Sequence, residues 1–460
     1  MNAHHLWLGA ALGISLAAAN TFAAGMEFPD NGARAIGRAG AVAADPEDGL
    51  ALVYNPAGLG SQMGLRFLLD SKLCMQGLLF KGTGQDSVTN DGGPFFAPAG
   101  VFSYGFGAVG PLQGLTVAIG AVGPSAVGRL SYPEDGAQRY GLISSDFFIA
   151  YYSLGVGADI NDWLSVGLTG QLLHGTASFS QAVWSGFGRG TDPDFDTVVN
   201  IDVTSGFIPT GVFGITVRPI ESLALGLSYR PKLRFTAEGD LVSQLPESPE
   251  VLAAAPKQVG KGAELLLTFP HVIRLGAEWS GIDHLAIEVD LVYEGWSAFE
   301  AIEVRPKNVV IESNVGDPTP LEDIVLQKDF NDAWSVRLGA DYNLVSDRLV
   351  VRGGYLYESS AIPDKSISVD FANWGRHAVS IGASLTLFGV IVDVAYAHHF
   401  IPTKEIDHSA VMQVTTPPLA DPQSLPVPEQ SVVGNGYYSA TLDVISLAVR
   451  VPWDDLRSEF

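Results

Sequence analysis

Three arginines, Arg230, Arg274 and Arg337, have the chemistry and the spacing to hold an acidic ligand together. Each lies some eight or nine residues from the nearest short turn, and the alternation of a strand points all three to one side of a sheet. Guanidinium groups at one height can each donate paired hydrogen bonds to a carboxylate. Because buried charges are normally paired, the alternative is that these arginines neutralise acids of the protein itself. Candidates for such pairing are Glu278, Glu288, Asp290, Asp341, Asp45, Glu47 and Asp48.

Catalytic and metal-binding patterns are weak in this sequence. It contains no Gly-x-Ser-x-Gly motif and no Ser/His/acid grouping, so we expect no catalytic residues and no enzyme. His398 and His399 are adjacent, and adjacent residues of a strand point to opposite faces, which argues against a shared ion. Asp192, Asp194 and Asp196 have the spacing of a calcium loop, but the required glycine and the final glutamate are missing. We therefore expect no metal and no cofactor.

The composition excludes several classes of protein. The chain has 460 residues and a net charge of −24, which argues against a nucleic-acid partner because phosphates would be repelled. A single cysteine, Cys74, excludes an intrachain disulfide and a cysteine-based metal site. Only 17% of the residues are charged, below the ~25% of an ordinary soluble domain. Beyond the N-terminus, no apolar run approaches the ~20 residues of a spanning helix, so any membrane crossing must use strands.

The N-terminus predicts export. Residues 6–19 are apolar and lead into Thr21-Phe22-Ala23-Ala24, which puts small residues at positions −3 and −1 of a cleavage site. We interpret residues 1–23 as a signal peptide. The alternative, a buried N-terminal helix, would need a polar face, and this segment has none.

The rest of the chain repeats one pattern, a turn-forming cluster followed by a run of apolar or alternating residues. The runs begin at residues 115, 164, 223, 285, 349 and 390. Long polar stretches rich in Gly, Pro and Asp lie between them, for example residues 182–205 and 303–329. Six short turns thus separate seven strand pairs, which predicts fourteen strands with short turns at one end and long loops at the other. A closed outer-membrane barrel has this organisation, because lipid tolerates no unpaired strand edge.

The alternative fold is a soluble β-sandwich or propeller. Against it, residues 378–387 alternate between an apolar row and a row of Ala, Ser, Gly and Thr. The apolar row consists of Val379, Ile381, Ala383, Leu385 and Leu387. This alternation is typical of a strand between lipid and a barrel lumen. We therefore predict an all-β fold, a 14-stranded antiparallel transmembrane β-barrel.

The predicted barrel does not account for the whole chain. Residues 24–62 are rich in Ala and Gly and lack strand alternation, so we expect them to pack inside the lumen as a hatch, or plug. The barrel is predicted to span residues 63–453. Pro452 and the acidic pair after it interrupt the last strand, which leaves residues 454–460 as a short tail.

The hatch carries the most specific motifs of the chain. They are Gly37-Arg38-Ala39-Gly40, Ala43-Ala44-Asp45 and Tyr54-Asn55-Pro56-Ala57-Gly58-Leu59, with further motifs at residues 227–230, 290–297 and 352–355. Through these motifs the mature chain resembles the FadL family of outer-membrane transporters for long-chain fatty acids and hydrocarbons. The resemblance implies a 14-stranded barrel with an N-terminal hatch, in agreement with the strand count above. It also implies a basic residue on the fifth strand that holds a carboxylate, where this sequence offers only His174.

Two further groups of residues are candidates for the transport path. Asn55, Pro56 and Ala57 form a rigid turn between hatch and wall, because Pro fixes φ and Asn can bond its own backbone, and we interpret them as the gate. Phe148 and Tyr152 share one face of the fourth predicted strand, and we interpret them as candidates for binding an apolar ligand in the lumen. The alternative is that these two rings only pack on the hatch.

Gly123 and Pro124 interrupt the third predicted strand, which begins at Leu115. Proline has no N–H for the strand ladder and glycine permits a sharp bend, so the pair indicates a break in the wall. The resemblance implies a lateral opening at this break, through which cargo enters the bilayer. The alternative is that residue 123 already lies beyond the membrane and the pair only opens an external loop.

Together these features predict a monomeric protein of the outer membrane that transports hydrophobic compounds passively. The expected cargo is a long-chain fatty acid or another hydrophobic small molecule, and the sequence leaves open whether it is an acid, an alkane or an aromatic. Other expected partners are outer-membrane lipid, lipopolysaccharide and the barrel-assembly machinery, for which Phe460 supplies a terminal aromatic residue. The alternative functions are a porin-type channel for small polar solutes with a structural plug, and a structural or adhesive barrel.

Overall fold

The computed structural model describes residues 30–123, 128–184, 192–246, 248, 249, 252, 255–314, 317–346, 348–371, 373–414 and 431–453. The predicted signal peptide and the predicted C-terminal tail lie outside the described residues. Within the described residues, no helix is both long enough and apolar enough to cross a membrane.

Fourteen antiparallel strands of the described chain form the wall of one closed barrel. Nine of them are continuous: β1 (Met63–Gly82), β2 (Phe95–Val109), β3 (Leu112–Val122), β4 (Ser144–Asn161), β5 (Leu164–Trp184), β11 (Leu349–Glu358), β12 (Arg376–Leu387), β13 (Val390–Phe400) and β14 (Gly436–Pro452). The other five are each interrupted once: β6 (Asp196–Ser205 and Ile208–Ile220), β7 (Leu223–Arg230 and Leu233–Gln244), β8 (Gly262–Phe269 and Val272–Ile282), β9 (Leu285–Glu294 and Ala301–Lys307) and β10 (Ile324–Gln327 and Ala333–Val345). Short strands add Ser87–Thr89, Leu130–Ser131, Lys257–Val259, Val310–Glu312, Thr319–Pro320 and Lys404–Ile406.

Strand pairing closes the barrel. Each wall strand pairs with the next along the chain, and β1 pairs with β14 from Arg66↔Pro452 to Gly82↔Gly436. Every wall strand therefore has a partner on both sides, as a lipid environment requires. The predicted fold class and strand count are confirmed, and the sandwich alternative is wrong. Five of the six predicted repeats begin where a wall strand begins. The remaining repeat, predicted to begin at Leu115, lies in β3, which begins three residues earlier.

Side chains alternate across the wall as predicted. On β12 the predicted apolar row faces outward, while Ser380 and Ser384 on the other face are buried. Outward-facing aromatic residues cluster near both ends of the wall, where Trp and Tyr rings favour the membrane–water interfaces. The band near the short turns includes Tyr104, Phe106, Trp163, Trp279 and Tyr342, and the band near the long loops includes Phe96, Phe148, Phe207, Trp334 and Phe400.

The hatch, described from residue 30 to residue 62, lies inside the barrel. It forms α1 (Ala33–Gly37), α2 (Ala51–Tyr54) and the one-turn 3₁₀ helix Pro56–Leu59. Other single 3₁₀ turns in the chain are Pro193–Phe195, Trp296–Ala298 and Asp364–Ser366. Apolar hatch residues pack on the inner faces of β1, β2 and β3 in one cluster that includes Leu50, Leu52, Tyr54, Leu59, Leu68, Val101, Ala118 and Val122.

Glycines of the wall let the hatch backbone come close. A Cβ atom at Gly214 would lie 2.0 Å from Asn55 Oδ1, and one at Gly226 would lie 2.0 Å from the Ala43 carbonyl oxygen. Similar close approaches to the hatch occur at Gly157, Gly167, Gly276, Gly339, Gly354 and Gly382. These contacts, made by strands from β4 to β12, explain part of the high glycine content, since any side chain there would displace the hatch.

Above the hatch, the half of the lumen nearest the long loops is filled by an apolar core. Its members come from most wall strands and include Phe80, Leu173, Phe235, Leu265, Trp296, Phe330 and Leu442. The connection between β11 and β12 also contributes, through Ile362, Ile367 and Phe371. The hatch and this core together fill much of the lumen, which distinguishes it from an open aqueous pore.

Candidate functional site

The three predicted arginines line a single cavity between the hatch and the apolar core. Arg230, Arg274 and Arg337 converge there from β7, β8 and β10, and a fourth arginine, Arg376, joins them from the start of β12. The cavity has about 670 Å³ of empty space, including the part open to solvent. Its other lining residues are Asp30, Asn31, Val53, Tyr54, Val122, Tyr151, Gln171, Val212, Glu294 and Glu358.

Arg337 and Arg376 form ion pairs with cavity acids. Arg337 Nη1 lies 2.5 Å from Asp30 Oδ2, and Arg376 Nε lies 2.9 Å from Glu358 Oε1. Asp30 belongs to the hatch, so the first pair joins hatch and wall. Burial opposes ionisation of Asp30, but the attraction of Arg337 prevails and lowers the pKa of the Asp30 carboxyl to about 2.

Arg274 differs from these two. Its guanidinium carbon lies 5.7 Å from the centre of the Tyr54 ring, and its Nε has no hydrogen-bond partner among the described residues. Glu294, the third carboxylate of the cavity, accepts a hydrogen bond from the indole nitrogen of Trp296 at 2.7 Å. Four guanidinium groups thus face three carboxylates, which leaves one positive charge in excess. An anionic group of matching size would balance that charge.

The acids that the sequence suggested as partners for these arginines are engaged elsewhere. Arg38 of the hatch lies 2.7 Å from both Glu278 and Glu288 and 3.2 Å from Asp341. Asp290 accepts hydrogen bonds from the Val42 and Ala43 amides, each at 2.9 Å. The hatch acids pair likewise outside the cavity, Asp45 with Arg218 and Glu47 with Arg34. The alternative, that these arginines pair with acids of the protein, holds for Arg337, but its partner is Asp30 of the hatch, an acid outside the named set.

The predicted gate residues fasten the hatch. The Asn55 side chain donates to the Ala43 carbonyl at 2.7 Å and to Thr216 Oγ1 at 3.1 Å, and its Oδ1 accepts from the Ala57 amide at 3.2 Å. Pro56 is the first residue of the 3₁₀ helix, where its missing N–H costs no hydrogen bond. Asn55 therefore joins two parts of the hatch to β6, next to the cavity residue Tyr54.

The wall is irregular where the sequence predicted a break. Strand β3 ends at Val122, which pairs with Tyr151, and pairing with β4 resumes only where Leu130 lies opposite Ser145. Between these two pairs the chain has seven residues on one side, 123–129, and five on the other, 146–150. The Gly123 amide donates to the Pro98 carbonyl at 2.7 Å, and Pro124 lies outside the described residues. Val122 also lines the cavity that holds Arg230, Arg274, Arg337 and Arg376, the arginine cavity. The arginine cavity therefore adjoins this irregularity.

The position of Gly123 relative to the membrane can be read from neighbouring strands. Gly123 is level with Pro98 on β2, and Phe96, two residues further outward, faces the outside of the barrel. On β4, Phe148 lies three residues outward of Tyr151 and also faces outside. The irregularity therefore begins on the membrane side of Phe96 and Phe148, two rings of the aromatic band near the long loops.

Comparison with known families decides what this barrel is. The chain matches the family model described as outer membrane protein transport protein (OMPP1/FadL/TodX) over residues 14–422. The protein belongs to this family. Membership and fold together place it in the outer membrane as a transporter of hydrophobic compounds.

Solved structures show the same fold at low sequence identity. A FadL homologue of Pseudomonas aeruginosa is 15% identical, with a TM-score of 0.73 over 93% of this chain and 100% of that one. The toluene transporter TbuX of Ralstonia pickettii is 16% identical, with a TM-score of 0.63 over 93% and 99%. The toluene transporter TodX of Pseudomonas putida is 12% identical, with the same TM-score and coverage. No curated protein sequence matches the chain.

The expectation that Phe148 and Tyr152 bind ligand in the lumen is wrong for this FadL/TodX-family protein. Phe148 and Tyr152 do not line the lumen, because their side chains face outward and are 43% and 44% exposed. The opposite face of β4 carries Tyr151, which lines the cavity. His174 also faces outward and its ring lies 5.3 Å from that of Phe207, so Gln171 is the cavity residue of β5. Both faces of these strands are apolar or aromatic, one against lipid and one against the core, and hydropathy alone does not distinguish them.

Sequence reasoning missed Asp30, Glu358 and Arg376. Arg376 had a signal, since it lies two residues before Ala378 and so shares the inward parity of that row. Asp30 had none, because its contact with Arg337 joins residues far apart in the chain. Within the described residues, no group of three or more His, Cys, Asp or Glu side chains could hold a metal ion.

Proposed function

We propose that this protein carries hydrophobic compounds with an acidic head group, such as long-chain fatty acids, through the outer membrane without an energy source. The observation that carries the proposal is the arginine cavity, in which four guanidinium groups face three carboxylates. Arg274 supplies the donor for a ligand, since its Nε has no partner among the described residues. A single excess positive charge below an apolar core suits a molecule with one carboxylate and a hydrocarbon chain.

The path that we propose runs from the apolar outer lumen to the cavity and then sideways through the break after β3. Val122 supports this path, because it both lines the cavity and ends the strand. The membrane-side position of Gly123 favours a lateral opening over an external loop. The hydrocarbon chain gains about 0.8 kcal/mol per CH₂ on leaving water, so release into the bilayer is favourable and release into the periplasm is not.

Asn55, Pro56 and Ala57 act in this proposal by holding the floor of the cavity. Val53 and Tyr54, the residues just before Asn55, line the cavity, and the Asn55 side chain fixes that segment to β6 through Thr216. The porin alternative is less well supported, because the described part of the lumen contains the hatch and an apolar core rather than a polar channel.

The experiment compares ligands of equal chain length. Purified wild-type protein is titrated with hexadecanoate and with hexadecane, and Arg274→Gln is titrated in the same way. We expect the variant to lose about 10- to 100-fold in affinity for hexadecanoate, since hydrogen bonds to charged groups contribute about 1.5–3 kcal/mol. Affinity for hexadecane should not change.

The matched control is Arg218→Gln, an arginine of the lumen that pairs with Asp45 at 3.3 Å outside the cavity. This variant should bind both ligands like the wild type. An equal loss of both ligands in Arg274→Gln would show that the arginine is structural. A wild-type protein that prefers hexadecane or toluene to hexadecanoate would show that the cargo is uncharged.

A further inference from the structure

The connection between β11 and β12 folds into the barrel mouth instead of extending into solvent. Within residues 359–371, the side chains of Ala361, Ile362, Ile367, Val369 and Phe371 are at most 3% exposed. These side chains belong to the apolar core of the outer lumen. Outer connections of barrels normally lie on the surface, so a buried apolar connection calls for a physical reason.

This connection reaches across the mouth to three other parts of the wall. Tyr132, in the connection between β3 and β4, donates through its hydroxyl to the Val369 carbonyl at 3.2 Å. The rings of Phe371 and Phe330 lie 6.1 Å apart. The Ala410 amide, between β13 and β14, donates to the Lys365 carbonyl at 2.7 Å. Since β3 and β11 lie on opposite sides of the barrel, residues 359–371 bridge the opening.

Ion pairs near the rim hold the connection down. Lys328 pairs with Asp370, and its ammonium lies 5.2 Å from the centre of the Phe371 ring. Lys404 Nζ lies 2.7 Å from Asp364 Oδ1, where the carboxylate is largely exposed. The Lys404–Asp364 pair is exposed on its acidic side and therefore weak, whereas the Lys328–Asp370 pair is largely buried and is the stronger restraint on the closed position.

The two ends of the connection are residues of the arginine cavity. Glu358 is the last residue of β11 and Arg376 is the first residue of β12, and these two form the ion pair described above. The connection therefore lies directly over the cavity. A compound that arrives from the outside meets it before it meets the arginines.

We propose that residues 359–371 form an outer lid that is closed in this structure and must move for cargo to reach the arginine cavity. The buried lid side chains then occupy the space through which the hydrocarbon chain passes when the lid is open. Because Glu358 and Arg376 flank the lid and line the cavity, movement of the lid also shifts these two residues. Opening of the mouth is thereby coupled to the cavity. The inference rests on the proposed function only for the identity of the cargo.

A disulfide can lock the lid. A Cβ atom at Gly141 would lie 3.2 Å from Ser368 Oγ, a separation that suits a disulfide between Gly141→Cys and Ser368→Cys. Both variants are made on a Cys74→Ala background, and uptake of hexadecanoate is measured in intact cells with and without a reductant. We expect the oxidised double variant to lose uptake and the reduced one to regain it.

The control disulfide joins two neighbouring wall strands. A Cβ atom at Gly77 on β1 would lie 2.7 Å from Thr441 Oγ1 on β14, and these residues are already paired. The Gly77→Cys and Thr441→Cys pair should leave uptake unchanged in both redox states, as should each single variant of the lid pair.

Full uptake by the fully oxidised lid variant would overturn the proposal that residues 359–371 form a lid. If the reduced double variant is itself inactive, the decision comes from labelling of Val369→Cys by a water-soluble maleimide. Hexadecanoate should then accelerate labelling, and an unchanged rate would overturn the proposal equally. Absence of uptake by the wild type would contradict the proposed function instead, so the two failures are distinct.

Discussion

Two buried charge clusters of the lumen differ in how completely they are paired. In the first, around Arg38, each guanidinium nitrogen has an acceptor: the Ala41 carbonyl at 2.8 Å, Asp341 at 3.2 Å, and Glu278 and Glu288 at 2.7 Å. In the second, the arginine cavity, guanidinium groups outnumber carboxylates and Arg274 has an unused donor among the described residues. The two lie in one barrel, and the second lines the cavity described above.

The difference separates structure from function within one chemistry. A guanidinium whose three nitrogens all donate to protein acceptors fixes the hatch to β8, β9 and β10 and is committed to the structure. A guanidinium with a spare donor, held in place by the wall, is prepared to accept one. The count of arginines in a lumen therefore says less about ligand binding than the balance of donors and acceptors around each arginine.

The largest effect should come from breaking the complete cluster. Arg38→Met removes the cation of Glu278 and Glu288, while Asp341 keeps Arg352 at 3.2 Å, and removing one partner of a buried ion pair costs about 3–5 kcal/mol. We expect a barrel that unfolds at a clearly lower temperature or denaturant concentration in detergent. The control is Arg129→Met, whose pair with Asp146 is exposed and should contribute little. Equal stability of the two variants would contradict the structural role of Arg38.

Part of this arrangement could be predicted from the sequence, and the part that could not be predicted was hidden for physical reasons. Turn spacing predicts the fourteen strands and the common height of Arg230, Arg274 and Arg337, and strand parity predicts their common face, because all of these depend only on local patterns. The partners of Arg38 were not predictable, since Glu278 and Glu288 lie more than two hundred residues away in the chain. The choice of face for Phe148 failed because lipid and core both favour apolar side chains.

The high glycine content illustrates a further limit. It was visible in the composition, but the positions at which a Cβ would meet the hatch depend on the tertiary contact itself. Gly214 and Gly226, for example, lie in ordinary strand patterns and are distinguished only by the Asn55 side chain and the Ala43 carbonyl that approach them. Composition predicted that glycine matters, and only the three-dimensional structure shows where.

The second largest effect should come from closing the lateral route out of the arginine cavity. Removing two of residues 124–127 would leave five residues between Val122 and Leu130, as many as lie between Ser145 and Tyr151, and should allow a continuous β3–β4 pairing. We expect hexadecanoate uptake to be lost while binding in the cavity persists. This change is preferable to a substitution at Gly123, where a Cβ would lie 2.6 Å from the Pro98 carbonyl oxygen and distort β2.

The control for this deletion removes Gln85 and Asp86, two exposed residues of the connection after β1. That change should leave uptake at the wild-type level. Uptake that survives closure of the break, at normal amounts of barrel in the membrane, would exclude the lateral route and leave the cavity with another exit.

A smaller effect should follow from loosening the floor of the cavity. Asn55→Ala removes four hydrogen bonds of a buried side chain and leaves the Ala43 carbonyl without that donor, at a cost of about 1–3 kcal/mol. We expect the barrel to assemble normally and uptake to fall, because Tyr54 is no longer held against the cavity. Asn343→Ala, an exposed asparagine on β10, is the matched control. Unchanged uptake in Asn55→Ala would place the gate elsewhere.

The smallest effect should come from increasing the excess positive charge of the arginine cavity. Asp30→Asn removes the carboxylate from Arg337 and so raises the positive excess of the cavity without touching the Arg38 cluster. We expect a several-fold gain in hexadecanoate affinity, equivalent to about 1 kcal/mol, as for one charged hydrogen bond made available. A loss of affinity would show instead that Asp30 positions Arg337 for the ligand.

The pH dependence of this last change has a definite sign. Because the pKa of Asp30 is lowered from 3.8 to about 2, the carboxylate stays ionised in the folded protein well below neutral pH. The contribution of the Asp30–Arg337 pair to stability is therefore complete above about pH 4 and is lost only as the pH falls through about 2. The ratio of variant to wild-type affinity, in which protonation of the ligand cancels, should thus be constant between pH 8 and pH 5. A ratio that drifts toward one over that interval would mean that Asp30 is protonated there, and that the cavity holds its excess charge less firmly than its geometry indicates.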